Sequence, residues 1–433
     1  MATTAEVTGS HAPAWHGGFG RLWSAAVVSR FGDALRGSAL PLLAVSLTHR
    51  PLLIASVTAC GYLPWIVFGL LGGALADRVD QRRAMWRVDA VRGLLVAAFA
   101  AAVALGQASI PLLMALAFAL TTLQTLFDNA ATALLPALVD RSALGTANAR
   151  LMTGQKIAGG LLGAPVVPAL IVAGAAAPFA ADAVTFLVAA ALVASLRMPA
   201  PAGGAGPGGA APRGPRPAGS TLRAEIAEGL RTLWHDRALR GLCAATALCN
   251  IGMGALIATL VVLVTGRLHA GTVGYAAVTT AFTVGGLAGG VLHRRITDRL
   301  GPLRAVLLAG LVQTGALVVM GTVRSLAAVV AAMAAFGVMS MVWNVSTTTL
   351  MQQRTPIDLL GRVGSAFRTL AAAGAPLGAL LGGAVATAWG PNTPALLTAG
   401  FFVLSVLALI PAVKPDVPVV ARVDDATTAR VTG

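Results

Sequence analysis

Apolar runs of about 20 residues recur along the whole of this chain, separated by short stretches rich in arginine, glycine and proline. A run of that length crosses the ~30 Å hydrocarbon core of a bilayer as a helix, because a helix satisfies its own backbone groups where no water can. Composition agrees. A soluble domain carries about 25% charged residues, whereas this chain is 11% charged and 57% hydrophobic, with mean hydropathy +0.80. A soluble globular protein is excluded.

The runs predict twelve spans, at 21–47, 52–76, 85–106, 110–138, 148–173, 177–196, 238–264, 272–293, 303–322, 325–351, 362–388 and 393–413. Their connections alternate in charge. Even-numbered spans are followed by Arg78, Arg82 and Arg83, by Arg141, by the long central loop, by Arg294, Arg295 and Arg299, and by Arg354. Odd-numbered spans are followed only by Arg50, Arg267 and Arg324. Basic loops stay in the cytoplasm, so the even-numbered loops and both termini are expected there. The net charge of +15 is read as topology and not as nucleic-acid binding.

Five segments follow. A polar N-terminal tail (1–20) without the apolar core of a signal peptide precedes a first six-helix bundle (21–197). A cytoplasmic linker (198–237) opens on the Pro/Gly/Ala stretch Pro199 to Ser220, too poor in large apolar residues to fold. It then carries Leu222, Ile226, Leu230 and Leu233 at helical spacing, a short amphipathic helix with Ser220 as its N-cap. A second six-helix bundle (238–413) and a tail (414–433) complete the chain. The halves resemble one another: Phe127 to Asn148 lies over Trp343 to Gly364 at constant offset, and Gly-Ala-Pro follows in each copy, at Gly163–Pro165 and Gly374–Pro376. Two such halves describe parallel repeats around a central cavity. The expected fold class is therefore an all-α polytopic membrane protein of twelve helices in two pseudo-symmetric halves.

Ionisable groups deep in a span are costly and mark function. Asp33 lies about twelve residues into span one, with Arg36 one turn on as its partner. Asp128 and Asn129 are similarly deep in span four, Gln155 and Lys156 enter from span five, and Asp182 from the outer part of span six. Asp89 and Arg92 form a second i,i+3 pair near the cytoplasmic end of span three, which reads as structural or snorkelling. The second half offers Asn250, Gln313 and Asn344 with Trp343, Met341 and Phe367, and Arg368 nearer the cytoplasm. Charge-coupled chemistry is thus expected in the first half, with Asp33 and then Asp128 as proton carriers. The cysteines Cys60, Cys243 and Cys249 sit in apolar surroundings and the histidines at span ends, in tails or in loops. No nucleophile–base set, metal spacing or phosphate loop is present in the sequence, so neither an enzyme nor a cofactor is expected.

One stretch carries a family resemblance. "GGALADRVDQRR" (Gly72 to Arg83) resembles the loop 2–3 signature of the major facilitator superfamily. "FGRLWSAAVVSRFGDALRGSALPLLAVSLT", "LLPALVDRSALGTANA" and "LGRVGSAFRTLAAAGAPLGALLGG" are similar to its bacterial exporters of the enterobactin-exporter and macrolide-efflux type. Asp80 and Gln81 depart from the signature, which has a glycine and a basic residue there, and Arg294 replaces the glycine of the second copy. The antiporter-type motif of span five is reduced to Gly159, Gly160, Gly163 and Pro165.

The resemblance implies a cytoplasmic gate of Gly73, Asp77, Arg78, Arg82, Arg83 and Asp140, with Asp298 and Arg299 in the second copy. Asp77 would meet a helix N-terminus, which the resemblance places on span eleven, and the arginines would pair with Asp140. Gly159, Gly163, Pro165, Gly374 and Pro376 would set close helix packing. The function implied is proton-driven export, from a bacterial inner membrane, of an amphiphilic small molecule (a drug, natural product or siderophore-like compound). The partners are that substrate, protons and the lipid bilayer, and the protein works as a monomer. Uptake or uncoupled transport of a small nutrient, and a non-transporting receptor, are the alternatives.

Overall fold

The computed structural model describes residues 18–68, 81–139, 143–196, 222–355 and 359–409. Within its helices the side chains of Asp128, Asn129 and Arg368 lie outside the described set, as do the tails, the Pro/Gly/Ala linker and its Ser220. Among the described residues there are helices and no strands. They are α1 (Gly18–Leu47), α2 (Pro51–Phe68), α3 (Gln81–Ala104), α4 (Ile110–Leu138), α5, α6 (Ala177–Ala194), α7 (Leu222–His235), α8, α9 (Gly271–Leu300), α10 (Pro302–Thr322), α11 (Leu326–Arg354), α12 (Leu360–Trp389) and α13 (Thr393–Leu409). Two of these are composite. In α5, Leu144–Lys156 passes through a π-helical turn, Ile157–Gly163, into Ala164–Ala173; in α8, Arg237–Val262 ends in a π-helical turn, Leu263–Arg267. Helices thus lie at the twelve predicted positions, with α7 in the linker.

Among the described residues eight helices are long and apolar enough to cross a membrane, and α2 and α13 contribute shorter apolar helices. The two that remain, α1 and α3, are those that carry charge in mid-helix: Arg30, Asp33 and Arg36 on α1, Arg87, Asp89 and Arg92 on α3. Large apolar side chains such as Leu94, Leu311 and Leu377 are more than half exposed. On a soluble surface they would be a liability, but lipid is their natural solvent.

Helix α1 packs against α5 and α6, and α3 against α6 and α4. In the second group α8 packs against α12 and α13, α9 against α11, and α10 against α11 and α13. The starts of α1, α3 and α5 meet the ends of α4 and α6 in an apolar cluster that includes Phe19, Met85, Leu134, Ala147 and Leu196. We call this end of the bundle the base. Two arginines close the C-terminus of α6 there: Arg21 donates to the Ser195 carbonyl at 2.6 Å, and Arg82 to the carbonyls of Val193 and Ala194. Unpaired carbonyls and the negative end of the helix dipole both favour a cation at that point. In α7, Leu233 is buried and Trp234 exposed, and Asp236 caps the start of α8 by accepting from the amides of Ala238 and Leu239 at 2.8 and 2.9 Å.

Small residues set how closely the helices approach. A Cβ on Gly163 would stand 2.5 Å from that of Ala34, and one on Gly374 would stand 2.6 Å from Ile251 Cγ1, so α5–α1 and α12–α8 are in contact at distances only glycine permits. Gly159 approaches the Arg30 carbonyl more loosely. Pro165 lies two residues past the π-helical turn of α5, and neither it nor Pro168 can donate to the carbonyl four residues earlier, which relaxes the ladder next to the wide turn. Pro376 lies inside α12.

Candidate functional site

A buried cluster of charges joins α1, α3 and α6. Arg36 Nη2 donates to Asp33 Oδ1 at 2.5 Å, and its Nε donates to Asp182 Oδ2 at 3.0 Å. From α3, Arg92 reaches Asp33 Oδ1 through Nη2 at 2.9 Å and Asp89 Oδ1 through Nη1 at 3.3 Å. Arg30 Nη1 stands 3.7 Å from Asp33 Oδ2 on the accessible side. Three carboxylates thus face three guanidiniums. Asp89 and Asp182 are fully buried, Arg92 is 1% exposed, and Asp33 and Arg36 are 12% and 16% exposed. Such burial is tolerable only because each charge has an opposite partner and hydrogen bonds from it. The Arg92 guanidinium also lies 4.0 Å over the Phe186 ring, a favourable desolvated cation–π contact.

The fit between α1 and α6 depends on Gly32. A Cβ there would overlap Thr185 Oγ1 and Asp182 Oδ1, so only glycine lets Asp182 reach Arg36. Asp182 Oδ1 itself has no hydrogen-bond partner among the described residues. The corresponding place in the second group is neutral. Gly252 and Thr398 lie as far along the second copy as Arg36 and Asp182 do along the first, and there the Thr398 hydroxyl donates to the Gly252 carbonyl at 2.9 Å.

The sequence reading paired Asp33 with Arg36, and these two are in contact. It treated Asp89 and Arg92 as a separate pair near the end of span three. Instead, both are buried and bonded into the cluster, because α3 packs against α6 and turns that face inward. Asp182, noted but given no role, is the residue that ties α6 to α1. The available signal was the three-residue spacing shared by Asp33–Arg36 and Asp89–Arg92, with Gly32 beside the first pair.

The other expected site residues are dispersed. Gln155 is half-buried, and Lys156 is exposed with Nζ 3.6 Å from Met341 Sδ on α11. Asn250 and Asn344 donate to carbonyls one turn back on their own helices, at 2.9 and 2.8 Å. Trp343 is 5% exposed and lies beside Gly310 in the core of the second group, a packing position and not a cavity wall. Of the gate, Gly73, Asp77, Arg78 and Asp140 lie outside the described residues, as does the Asp128–Asn129 side-chain pair. Arg82 is occupied at the end of α6 as above, and Arg83 is exposed in the first turn of α3. Asp298 stands 3.6 Å from Arg294, both well exposed, and Arg299 lies in the last turn of α9.

The two groups of helices meet at mid-depth and at the end away from the base. Near that far end a Cβ on Gly383 of α12 would stand 2.6 Å from Ala55 Cβ of α2, beside a cluster of Ala55, Ala59, Ala258 and Ala379. At mid-depth a Cβ on Gly160 of α5 would overlap the Thr283 side chain of α9. One face of α5 records what happens towards the base. Gly160 is in tight contact, Lys156 reaches only a thioether, and Met152 is 59% exposed. The groups therefore part towards the base, leaving an open wedge between them.

A bundle of long apolar helices, with charges buried within one helix group and a wedge between two groups, is the architecture of a membrane-embedded helical protein. Residues 22–375 and 242–432 match the Major Facilitator Superfamily model, and the chain belongs to that family. It is similar to the uncharacterized MFS-type transporter y4rN of Sinorhizobium fredii, 28% identical over 377 residues that cover 84% of this chain and 87% of the relative. An uncharacterized MFS-type transporter of Mycobacterium bovis is 32% identical over 133 residues, 30% of each chain. Among solved structures, a mutant of the nucleoside transporter NupG superposes with TM-score 0.72 at 12% identity, covering 91% of this chain and 100% of that one. A bacterial homologue of the iron transporter ferroportin in an inward-facing state gives TM-score 0.69 at 13% identity, covering 91% and 98%. At such identities these two speak for the fold alone.

Proposed function

We propose that the protein is a twelve-span exporter of the bacterial inner membrane, built from a six-helix half before the linker and another after it. It moves an amphiphilic small molecule outward by alternating access, in exchange for protons. The observation that carries this reading is the Asp33 cluster: three carboxylates and three arginines on three helices of one half, with a neutral counterpart in the other. A proton arriving on Asp33 would remove the charge that Arg36 and Arg92 hold, and so loosen α1 from α3. Release of that proton would restore the three-helix contact. Coupling needs an element whose two arrangements are biased by the ion, and this reading assigns that part to the cluster.

The basic base of the bundle is the cytoplasmic side under the positive-inside rule, which makes the wedge an inward-facing cavity. The gate residues Asp77, Arg78 and Asp140 would close that side when the cavity turns outward. Export is favoured over nutrient uptake because the exporter-type sequence motifs point that way.

Everted membrane vesicles energised by respiration test the reading. Addition of amphiphilic compounds should dissipate the proton gradient in vesicles containing the protein and leave control vesicles unaffected. Accumulation of the compounds by whole cells, without any proton movement, would favour the uptake reading.

A further inference from the structure

We infer that the substrate carries negative charge, and that Lys156 is the residue that recognises it. This rests on the transporter reading above and adds the chemical class of what is carried. Lys156 is one of two lysines in a chain whose basic residues are otherwise arginine. It is exposed near the apex of the wedge, one turn from the point where α5 touches α9, and its ammonium lies 3.6 Å from the Met341 thioether of the opposite helix group. A thioether is a weak acceptor for a full positive charge. Among the described residues no carboxylate lies within 4 Å of Lys156, and the three acids of the nearby cluster are already matched by Arg30, Arg36 and Arg92.

The residue that faces Lys156 is apolar and soft. Met341 lies on α11 one turn before Asn344, whose amide nitrogen is bonded to the Ser340 carbonyl. That bond leaves the amide oxygen as the one acceptor it presents. A cation opposite a methionine suits a molecule with an anionic group at one end and an apolar body at the other, since a flexible thioether adapts to irregular apolar shapes. It does not suit a cationic amphiphile, which would be repelled by Lys156. Because Lys156 and Met341 belong to opposite groups, an anion held by Lys156 would replace the contact between them. Substrate arrival and the relation of the two halves are thereby linked at one side chain.

Matched probes with one ring system test this. Binding of 2-naphthoate and of 2-naphthyltrimethylammonium to the full chain in nanodiscs is measured by calorimetry, for the wild type, Lys156→Gln and Lys156→Arg. A charge-assisted hydrogen bond to a carboxylate contributes roughly 10-fold or more in affinity. The wild type should therefore bind naphthoate at least about 10-fold more tightly than the ammonium analogue. Lys156→Gln should lose about 10-fold for naphthoate alone, and Lys156→Arg should keep most of it. Equal naphthoate binding by wild type and Lys156→Gln, or tighter binding of the ammonium probe, would overturn the inference. Efflux of naphthoate from proteoliposomes is scored separately: binding that follows this pattern without efflux would count against the transporter reading and leave the charge preference standing.

Discussion

Arg92 on α3 donates to Asp33 on α1 at 2.9 Å while its guanidinium covers the Phe186 ring of α6 at 4.0 Å, so one buried side chain bridges three helices. That bridge organises the half of the protein in which ion coupling is placed, and the consequences can be measured.

Removing Arg92 should be severe. Arg92→Leu takes from Asp33 and Asp89 the buried guanidinium that bridges them, and removing one partner of a buried ion pair costs on the order of 3–5 kcal/mol. Thermal unfolding in detergent should show a large drop in midpoint. Arg92→Lys keeps the charge but cannot hold two carboxylates in a fixed fork, and should fall between the two.

Gly32→Ala tests the fit between α1 and α6. The added methyl would overlap Thr185 and Asp182, and overpacking of this kind costs about 1–3 kcal/mol. Thr185→Ala in the same chain should recover part of the loss, which unfolding of the single and double variants would reveal as a coupling term. Simple additivity would show that the two positions do not press on each other.

The amount of this that could be read from sequence follows from the range of each interaction. Helix positions, including that of the linker helix, were legible because apolar periodicity is local, and α7 stands where Leu230 and Leu233 placed it. The Asp33–Arg36 pair was legible because residues one turn apart share a helix face. The role of Asp182 was not, since it lies 146 residues from Arg36 and only tertiary packing brings them together. Asp89 and Arg92 were read as a structural or snorkelling pair, and they are a buried structural pair; their link to Asp33 was not legible, because distance from the end of a span measures depth, and depth does not tell which face a neighbouring helix covers. Trp343 was expected, with Met341 and Phe367, to pack against substrate, yet adjacent helical positions point about 100° apart, and the tryptophan beside exposed Asn344 is turned into the core.

Closure of the far end rests on Gly383 against Ala55 and Leu52. Gly383→Leu should hold that end apart and shift the population away from the inward-facing arrangement. In a background with Cys60, Cys243 and Cys249 replaced by serine, an Ala59→Cys probe should label with a membrane-impermeant thiol reagent several-fold faster when Gly383→Leu is present. Unchanged labelling would mean that the small-residue contact does not hold the gate.

Proton coupling through the Asp33 cluster is tested most directly in proteoliposomes that carry an internal pH indicator. Imposed gradients of 2-naphthoate should drive proton movement with the wild-type protein. Asp33→Asn should abolish this proton flux and any uphill transport, while naphthoate exchange without a gradient continues. Full proton-coupled transport in Asp33→Asn, and equally in Asp128→Asn, would contradict the account.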